Sequence, residues 1–182
     1  MGGGPEFAVA DGKGMVYNNI EDKNEVAAID SRALTIKSRW PVAPAGTPTA
    51  IAMNQKNRRL FIAGRNPAML VVMDADNGKV IQSFPITGGA DANVFEPATG
   101  MIFASTRDGM IHIFHEDSPD KFSVVDTVKT EFGAKTMGLD TKTHNLYVST
   151  ADFAPAPAPT AKQPNPRRSP VPGTFHLLVY AK

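Results

Sequence analysis

The stretch from Pro48 to Gly89 leaves room for little besides short strands, because each apolar run in it is closed within a few residues by a turn-forming group. Ala50 to Met53 is followed by Gln55-Lys56-Asn57, and Leu60 to Ala63 by Arg65-Asn66-Pro67. Met69 to Met73 leads into Asp74-Ala75-Asp76-Asn77-Gly78, after which Val80-Ile81 opens a fourth run. A long helix does not fit between breakers this close. The spacing therefore predicts a four-stranded antiparallel meander whose polar turns take the sharp backbone bends.

The same pattern recurs along the chain. Met15-Val16-Tyr17, Leu60-Phe61-Ile62, Met101-Ile102-Phe103 and Leu146-Tyr147-Val148 mark the second strand of four repeats, beginning 45, 41 and 45 residues apart. Third strands follow in step at Glu25 to Asp30, Met69 to Asp74, Met110 to His115 and Phe175 to Tyr180, and their nearly unbroken apolar character suits strands buried on both faces. Trp40-Pro41-Val42, Phe84-Pro85-Ile86 and Val128-Lys129-Thr130 read as outer strands, where a proline breaks no ladder. Four strands per unit at this period are the signature of a β-propeller. The expectation is one all-β domain of four blades, at about 5–46, 47–89, 90–133 and 134–182.

Leu146-Tyr147-Val148-Ser149-Thr150 resembles the motif that names the YVTN-repeat β-propellers, and Asp74 to Lys79 is similar to their turn into the outer strand. The resemblance covers nearly the whole chain and implies the C-terminal four blades of a longer propeller, whose relatives would be periplasmic or secreted. Such propellers close a ring of about seven blades. Here the fourth repeat has three strands up to Lys182 and no outer one. A free edge and two uncovered blade faces would expose apolar surface, so the reading is a half-propeller that closes as a homodimer with eight blades, the competing solution being a four-bladed ring within one chain.

Composition narrows the partners. With 19 basic against 18 acidic side chains, the electrostatic footprint of a nucleic-acid binder is missing. Cysteine is absent, so neither a disulfide framework nor a thiolate metal site is available. The start, Met1-Gly2-Gly3-Gly4-Pro5, lacks the regions of a secretory leader, and no apolar run approaches the roughly 20 residues that span a bilayer; the chain reads as soluble, with no membrane partner. The segment 153–173 is a Pro-rich insertion that can form neither helix nor ladder. It is either a semi-rigid surface loop or, with Arg167-Arg168, an extended ligand for an aromatic groove, the plain loop being preferred.

No local constellation of catalytic residues is present, and neither glycine-rich phosphate motifs nor cofactor motifs occur. Asp74, Asp76 and Gly78 are spaced like the opening of a calcium loop, but the later carboxylates are missing and Asn77-Gly78 suits a plain hairpin. His112 and His115 differ by three on a strand and so point to opposite faces; His144 and His176 have no local partner at ligand spacing.

What remains is the mouth of the channel. The family resemblance places the loops entering the innermost strand and those joining strands two and three on one face, giving Glu6, Thr49, Asp91 and Lys135 in the first set and Asn19, Arg65, Arg107 and Asp152 in the second. Both signs occur, which suits a small polar ligand or a polar protein surface better than a polyanion. Ordinary solvated turns are the plainer reading. The preferred function is a non-catalytic binding or interaction scaffold. The alternative is a metal-dependent propeller lactonase or hydrolase, for which Glu6, Asn19 and Asp91 are the only available ligands.

Overall fold

A computed structural model describes residues 2–181. The first sheet contains β1 (Pro5–Ala10), β2 (Met15–Ile20), β3 (Glu25–Asp30) and β4 (Thr35–Pro41), with a single 3-10 turn at Glu21–Lys23. The second contains β5 (Pro48–Asn54), β6 (Arg59–Arg65), β7 (Ala68–Asp74) and β8 (Val80–Pro85). The third contains β9 (Ala90–Glu96), β10 (Met101–Thr106), β11 (Met110–Ser118) and β12 (Lys121–Lys129). The fourth is three-stranded among the described residues: β13 (Lys135–Asp140), β14 (Asn145–Thr150) and β15 (His176–Tyr180). Each sheet is an antiparallel meander, and β1, β5, β9 and β13 stand side by side in chain order. This is the architecture of four consecutive β-propeller blades.

Short polar side chains make the turns. Asp30 Oδ1 accepts the N–H groups of Arg32 (3.0 Å) and Ala33 (2.9 Å), and Asp74 Oδ1 accepts that of Asp76 (2.7 Å). At the same end of the sheets, in the β1–β2 and β5–β6 turns, Asp11 Oδ1 takes the N–H groups of Lys13 and Met15, and Asn54 Oδ1 those of Lys56 and Asn57. Each satisfies donors that a tight reversal would leave open.

Three apolar layers fill the spaces between successive sheets. Tyr17, Val26 and Ala28 meet Leu60, Ile62, Val71 and Met73 between the first and second sheets. Phe61, Leu70 and Val72 meet Ile102, Phe114 and Phe122 between the second and third. Ile111 meets Leu146 and Val148 between the third and fourth. Val9, Met53, Phe95 and Leu139, one from each inner strand, line an open channel of about 300 Å³.

Strand pairing corrects three readings of the sequence. Val16, Leu60, Ile102 and Leu146 are the equivalent positions, opposite Ile29, Met73, Phe114 and Tyr180 respectively. Their spacing is 44, 42 and 44, so the triplets beginning at Met15 and Met101 are one residue out of register with the other two. Where both faces of a strand are apolar, alternation does not mark the face, and a one-residue slip goes unseen. Outer strands, secondly, lie mainly before the triplets proposed for them, with Pro41 and Pro85 as the last residues of β4 and β8. Thirdly, Leu70 to Met73 of β7 are fully buried on both faces, whereas β15 alternates, with Leu177 and Val179 exposed. Its outward face has no sheet against it among the described residues.

The Pro-rich insertion is exposed along most of its length, with a small turn closed between Thr160 and Gln163. Its base is not free. Phe153 stands edge-on to Phe132 at 5.2 Å and bridges to Pro170, and the Arg168 guanidinium lies 4.8 Å from the centre of the Phe132 ring.

Candidate functional site

At the end of the channel where the inner strands begin, four side chains of alternating sign run across the four sheets. Arg65, the last residue of β6, reaches Glu21 of the first sheet at 3.2 Å and Asp91 of β9 at 3.7 Å. Asp91 in turn lies 3.8 Å from Lys135 Nζ, at the start of β13. Backbone groups fix the two central members: Arg65 Nε donates to Ala90 O at 2.9 Å, and the N–H and hydroxyl of Thr136 donate to Asp91 Oδ2 at 2.9 and 3.0 Å. Asp91 is the most buried of the row, its side chain 13% exposed, against 37% for Arg65 and 48% for Lys135. Exposed pairs of this kind contribute about 0–1 kcal/mol each, so the row sets blade register more than it adds stability.

The other proposed mouth residues divide. Arg107 follows β10 and is tied by its backbone, its N–H to Gly89 O (3.0 Å) and its carbonyl to Gly133 N–H (2.7 Å). Its guanidinium, and the carboxylate of half-buried Glu6, have no partner among the described residues. Thr49 is buried and turned inward, its hydroxyl donating to Thr47 O at 3.3 Å. Asp152 is exposed at the base of the Pro-rich insertion, where its carbonyl accepts Val171 N–H at 2.8 Å.

Asn19 is not a loop residue. It lies within β2, fully buried, and its Nδ2 donates to Ala50 O at 3.1 Å, tying the first sheet to the second. Asn93 does the same between the third and second sheets through Phe61 O at 3.1 Å. Glu6, Asn19 and Asp91 therefore do not converge as metal ligands. A divalent ion at Asp91 would also face the Arg65 and Lys135 cations, and no step of metal-assisted hydrolysis follows from this set. Among the described residues no group of three or more His, Asp or Glu side chains is placed to share an ion.

Two features of the mouth escaped the sequence. Glu21 supplies the acidic end of the charged row; the Glu21-Asp22-Lys23 triplet was the available signal, and the sequence pattern puts Asn19 there because it ends the second strand early, whereas β2 runs on to Ile20. Beside Arg107 lies a polar knot in which Thr106 and His112 are buried, Thr87 half-buried and Asp108 exposed. Thr87 N–H donates to His112 Nε2 at 3.0 Å, the Thr87 and Thr106 hydroxyls are 2.8 Å apart, and both reach Asp108 Oδ1, at 2.9 and 2.6 Å. Burial pushes His112 below the usual imidazole range, against the opposing pull of Asp108. His115 points to the other face, with Nδ1 2.7 Å from Asp117.

At the opposite end, Asp74 and Asp76 pair with different arginines, Arg59 at 3.3 Å and Arg58 at 2.5 Å, and Gly78 N–H closes the turn on Asp74 O. The plain hairpin is what forms. Arg58 also reaches Asp11 at 3.2 Å and the Tyr17 hydroxyl at 3.0 Å. Burial draws Asp11 upward, but the N–H groups of Lys13 and Met15 and the Arg58 guanidinium outweigh it and hold the carboxyl below its ordinary range.

No family model matches the chain, and no curated protein matches it. Among solved structures it is similar to the hydrazine synthase of Kuenenia stuttgartiensis, at 12% identity and a TM-score of 0.72, over 81% of this chain and 42% of that one. It is similar to the WD40 repeats of RRP9, at 11% identity and a TM-score of 0.68, over 82% of this chain and 46% of that one. It is also similar to BamB of Moraxella catarrhalis, at 12% identity and a TM-score of 0.58, over 80% and 39%. The chain matches less than half the length of each. At these identities the likeness concerns fold alone, and the fold it supports is the β-propeller.

Proposed function

We propose that this chain is a non-catalytic β-propeller scaffold that binds a small polar ligand or a polar protein surface at the mouth where the inner strands begin. The observation that supports this is the pair of unmatched charges there. Arg65, Asp91 and Lys135 are satisfied by one another and by backbone, while the Arg107 guanidinium and the Glu6 carboxylate have no partner among the described residues. Opposite charges left open on one rim suit a group that carries both an anion and a cation, such as a zwitterionic peptide end, better than a polyanion. The resemblance to YVTN-repeat propellers fits this reading, as does the scaffold role such folds serve.

Thermal denaturation with a panel of zwitterionic dipeptides at millimolar concentration tests it. A bound dipeptide at 100 times its Kd adds about 2.7 kcal/mol to the folded state. The gain should vanish in Arg107→Gln. Equal stabilisation of that variant, or stoichiometric metal in the purified chain together with lactone turnover, would overturn the reading.

A further inference from the structure

Away from the mouth, a cleft of about 440 Å³ opens between the second and third sheets. Its walls come from the β5–β6 turn on one side and from β9, the β9–β10 turn and the end of β11 on the other. The third sheet is extended there: β11 and β12 run nine residues each, against six or seven in β3, β4, β7 and β8. The tip of this long hairpin is clamped to the second sheet. Arg59 Nε donates to Pro119 O at 2.6 Å and its Nη2 pairs with Asp120 at 2.7 Å, while the Gln82 amide exchanges two bonds with the backbone of Phe122, at 3.0 and 3.1 Å. These bonds set the width of the cleft. Lining it is Glu116, only 9% exposed. One of its carboxylate oxygens accepts Asn54 Nδ2 at 2.6 Å and the other Asn57 Nδ2 at 2.7 Å. The Asn54 amide is aimed by its own turn, where its Oδ1 takes the N–H groups of Lys56 and Asn57. Among the described residues no cation pairs with Glu116; Lys56, which also borders the cleft, is exposed and has no partner.

We propose that this cleft binds a small organic ammonium ion, with Glu116 as its counter-charge and Phe95, Pro97 and Pro119 as the apolar wall for its body. A buried carboxylate bonded only to neutral amides carries a charge that its surroundings do not match, and a cation reaching it from the cleft relieves that cost. A carboxylate offers about four acceptor positions, so with one amide on each oxygen about two stay open. Beside it, Asp117 Oδ1 lies 2.7 Å from His115 Nδ1 and accepts the Ser123 hydroxyl at 3.1 Å, and these bonds hold its carboxyl below the ordinary range, a second negative charge at neutral pH. Metal ions are poorly served, because no group of three or more His, Asp or Glu side chains converges among the described residues. A guanidinium fork wants both oxygens of one carboxylate, each of which already holds an amide, whereas a compact ammonium needs only one. Every residue around the cleft belongs to the second or third sheet, and each of these sheets is packed on both faces by another described sheet. The site therefore does not depend on what adjoins the first or the fourth.

Benzylamine and its neutral isostere benzyl alcohol, titrated into isotope-labelled protein at neutral pH and followed by nuclear magnetic resonance, test the proposal. Benzylamine should shift the side-chain amide signals of Asn54 and Asn57 to saturation, and benzyl alcohol should bind about tenfold more weakly or less. Glu116→Gln keeps the shape and removes the charge; it should weaken benzylamine by about tenfold or more and leave benzyl alcohol unchanged. Arg107→Gln, at the mouth, should bind benzylamine as the unaltered chain does. Lys56→Ala should bind it at least as tightly, because the lysine ammonium no longer competes for the cleft. Equal binding of the amine and the alcohol by the unaltered chain overturns the proposal even if Glu116→Gln fails to fold. So does undiminished benzylamine binding by a folded Glu116→Gln, loss of binding in Lys56→Ala, or saturating shifts confined to other parts of the chain.

Discussion

Gly78→Ala should strike the junction between the first two blades through a single methyl group. Gly78 sits in the β7–β8 turn at φ +74°, and a Cβ there would lie 2.0 Å from Trp40 Cγ on β4 of the neighbouring sheet. Two costs add. The left-handed backbone costs an alanine about 1–2 kcal/mol. Displacing Trp40, which stacks on Tyr17 with ring centres 6.0 Å apart, adds an overpacking cost of about 1–3 kcal/mol. The sum is about 2–5 kcal/mol, which for a chain of this length lowers Tm by on the order of 5–15 °C. Gly12→Ala supplies the control: its φ is +70°, but its nearest neighbour is the Gln55 amide at an ordinary 3.8 Å, so only the backbone cost applies. Trp40 is the only tryptophan, and its fluorescence should shift to the red in Gly78→Ala alone. Equal destabilisation by the two substitutions, with unchanged emission, would refute the packing of this turn on the first blade.

Stability should fall with pH through His112. Its folded-state pKa is depressed, so its contribution is complete above the unfolded value near 6.5 and is lost as pH drops from there toward the folded value. His176 works in the opposite sense, because the Thr174 carbonyl and Glu131 favour its charged form; its contribution is present below about 6.5 and fades as pH rises. Comparing Tm between pH 7.5 and 5 for the unaltered chain and His112→Gln isolates the first effect, and identical slopes would show that the imidazole is not held neutral. For the Pro-rich insertion, replacing residues 155–166 by a short Gly-containing turn should cost under about 1 kcal/mol in urea unfolding. Phe153→Ala should cost about 1–3 kcal/mol through its contact with Phe132, and a larger loss from the deletion would mean that the exposed arm packs on the blades.

Strand number and order were legible because every turn carries its own local chemistry. Asp30, Asp74, Asp11 and Asn54 are turn residues whether or not their neighbours are known, since the bonds they make reach only two to four residues along the chain. Facing was not legible. Leu60 and Phe61 are both apolar and both buried, and only the sheets on either side decide which points to which. The mouth was read in part for the same reason. Arg65, Asp91 and Lys135 stand at strand ends that the family resemblance gathers on one face, and there they form an ion-paired row. Asn19 failed because one more residue of strand took it from a loop into the layer between sheets, where its amide serves Ala50. The Thr87–His112 bond joins residues 25 apart, and no local pattern announces it.

The three junctions are unequal, and the inequality bears on the mouth. Leu60, Ile62 and Met73 are fully buried between the first and second sheets, as are Phe61 and Leu70 between the second and third. Between the third and fourth, Phe103, Ile113, Leu178 and Tyr180 remain partly exposed. With no strand beyond β15 among the described residues, an apolar space of about 410 Å³ lies open between β12 and the fourth sheet, bordered by Met101, Val125, Val128 and Tyr180. In a stack of repeats each unit is held by its own strands and its immediate neighbours, so among the described residues the three-stranded fourth sheet carries the least packing and opens most easily. Lys135 begins the inner strand of that sheet, and among the described residues its ammonium is held by Asp91 of the sheet before. A ligand held by Arg107 and Glu6 whose anionic end also reaches Lys135 would interact with the closed arrangement of the fourth sheet and not with the opened one. Occupation of the mouth and order in the weakest blade then become one equilibrium, shifted by as much as the ligand's preference for the closed state allows.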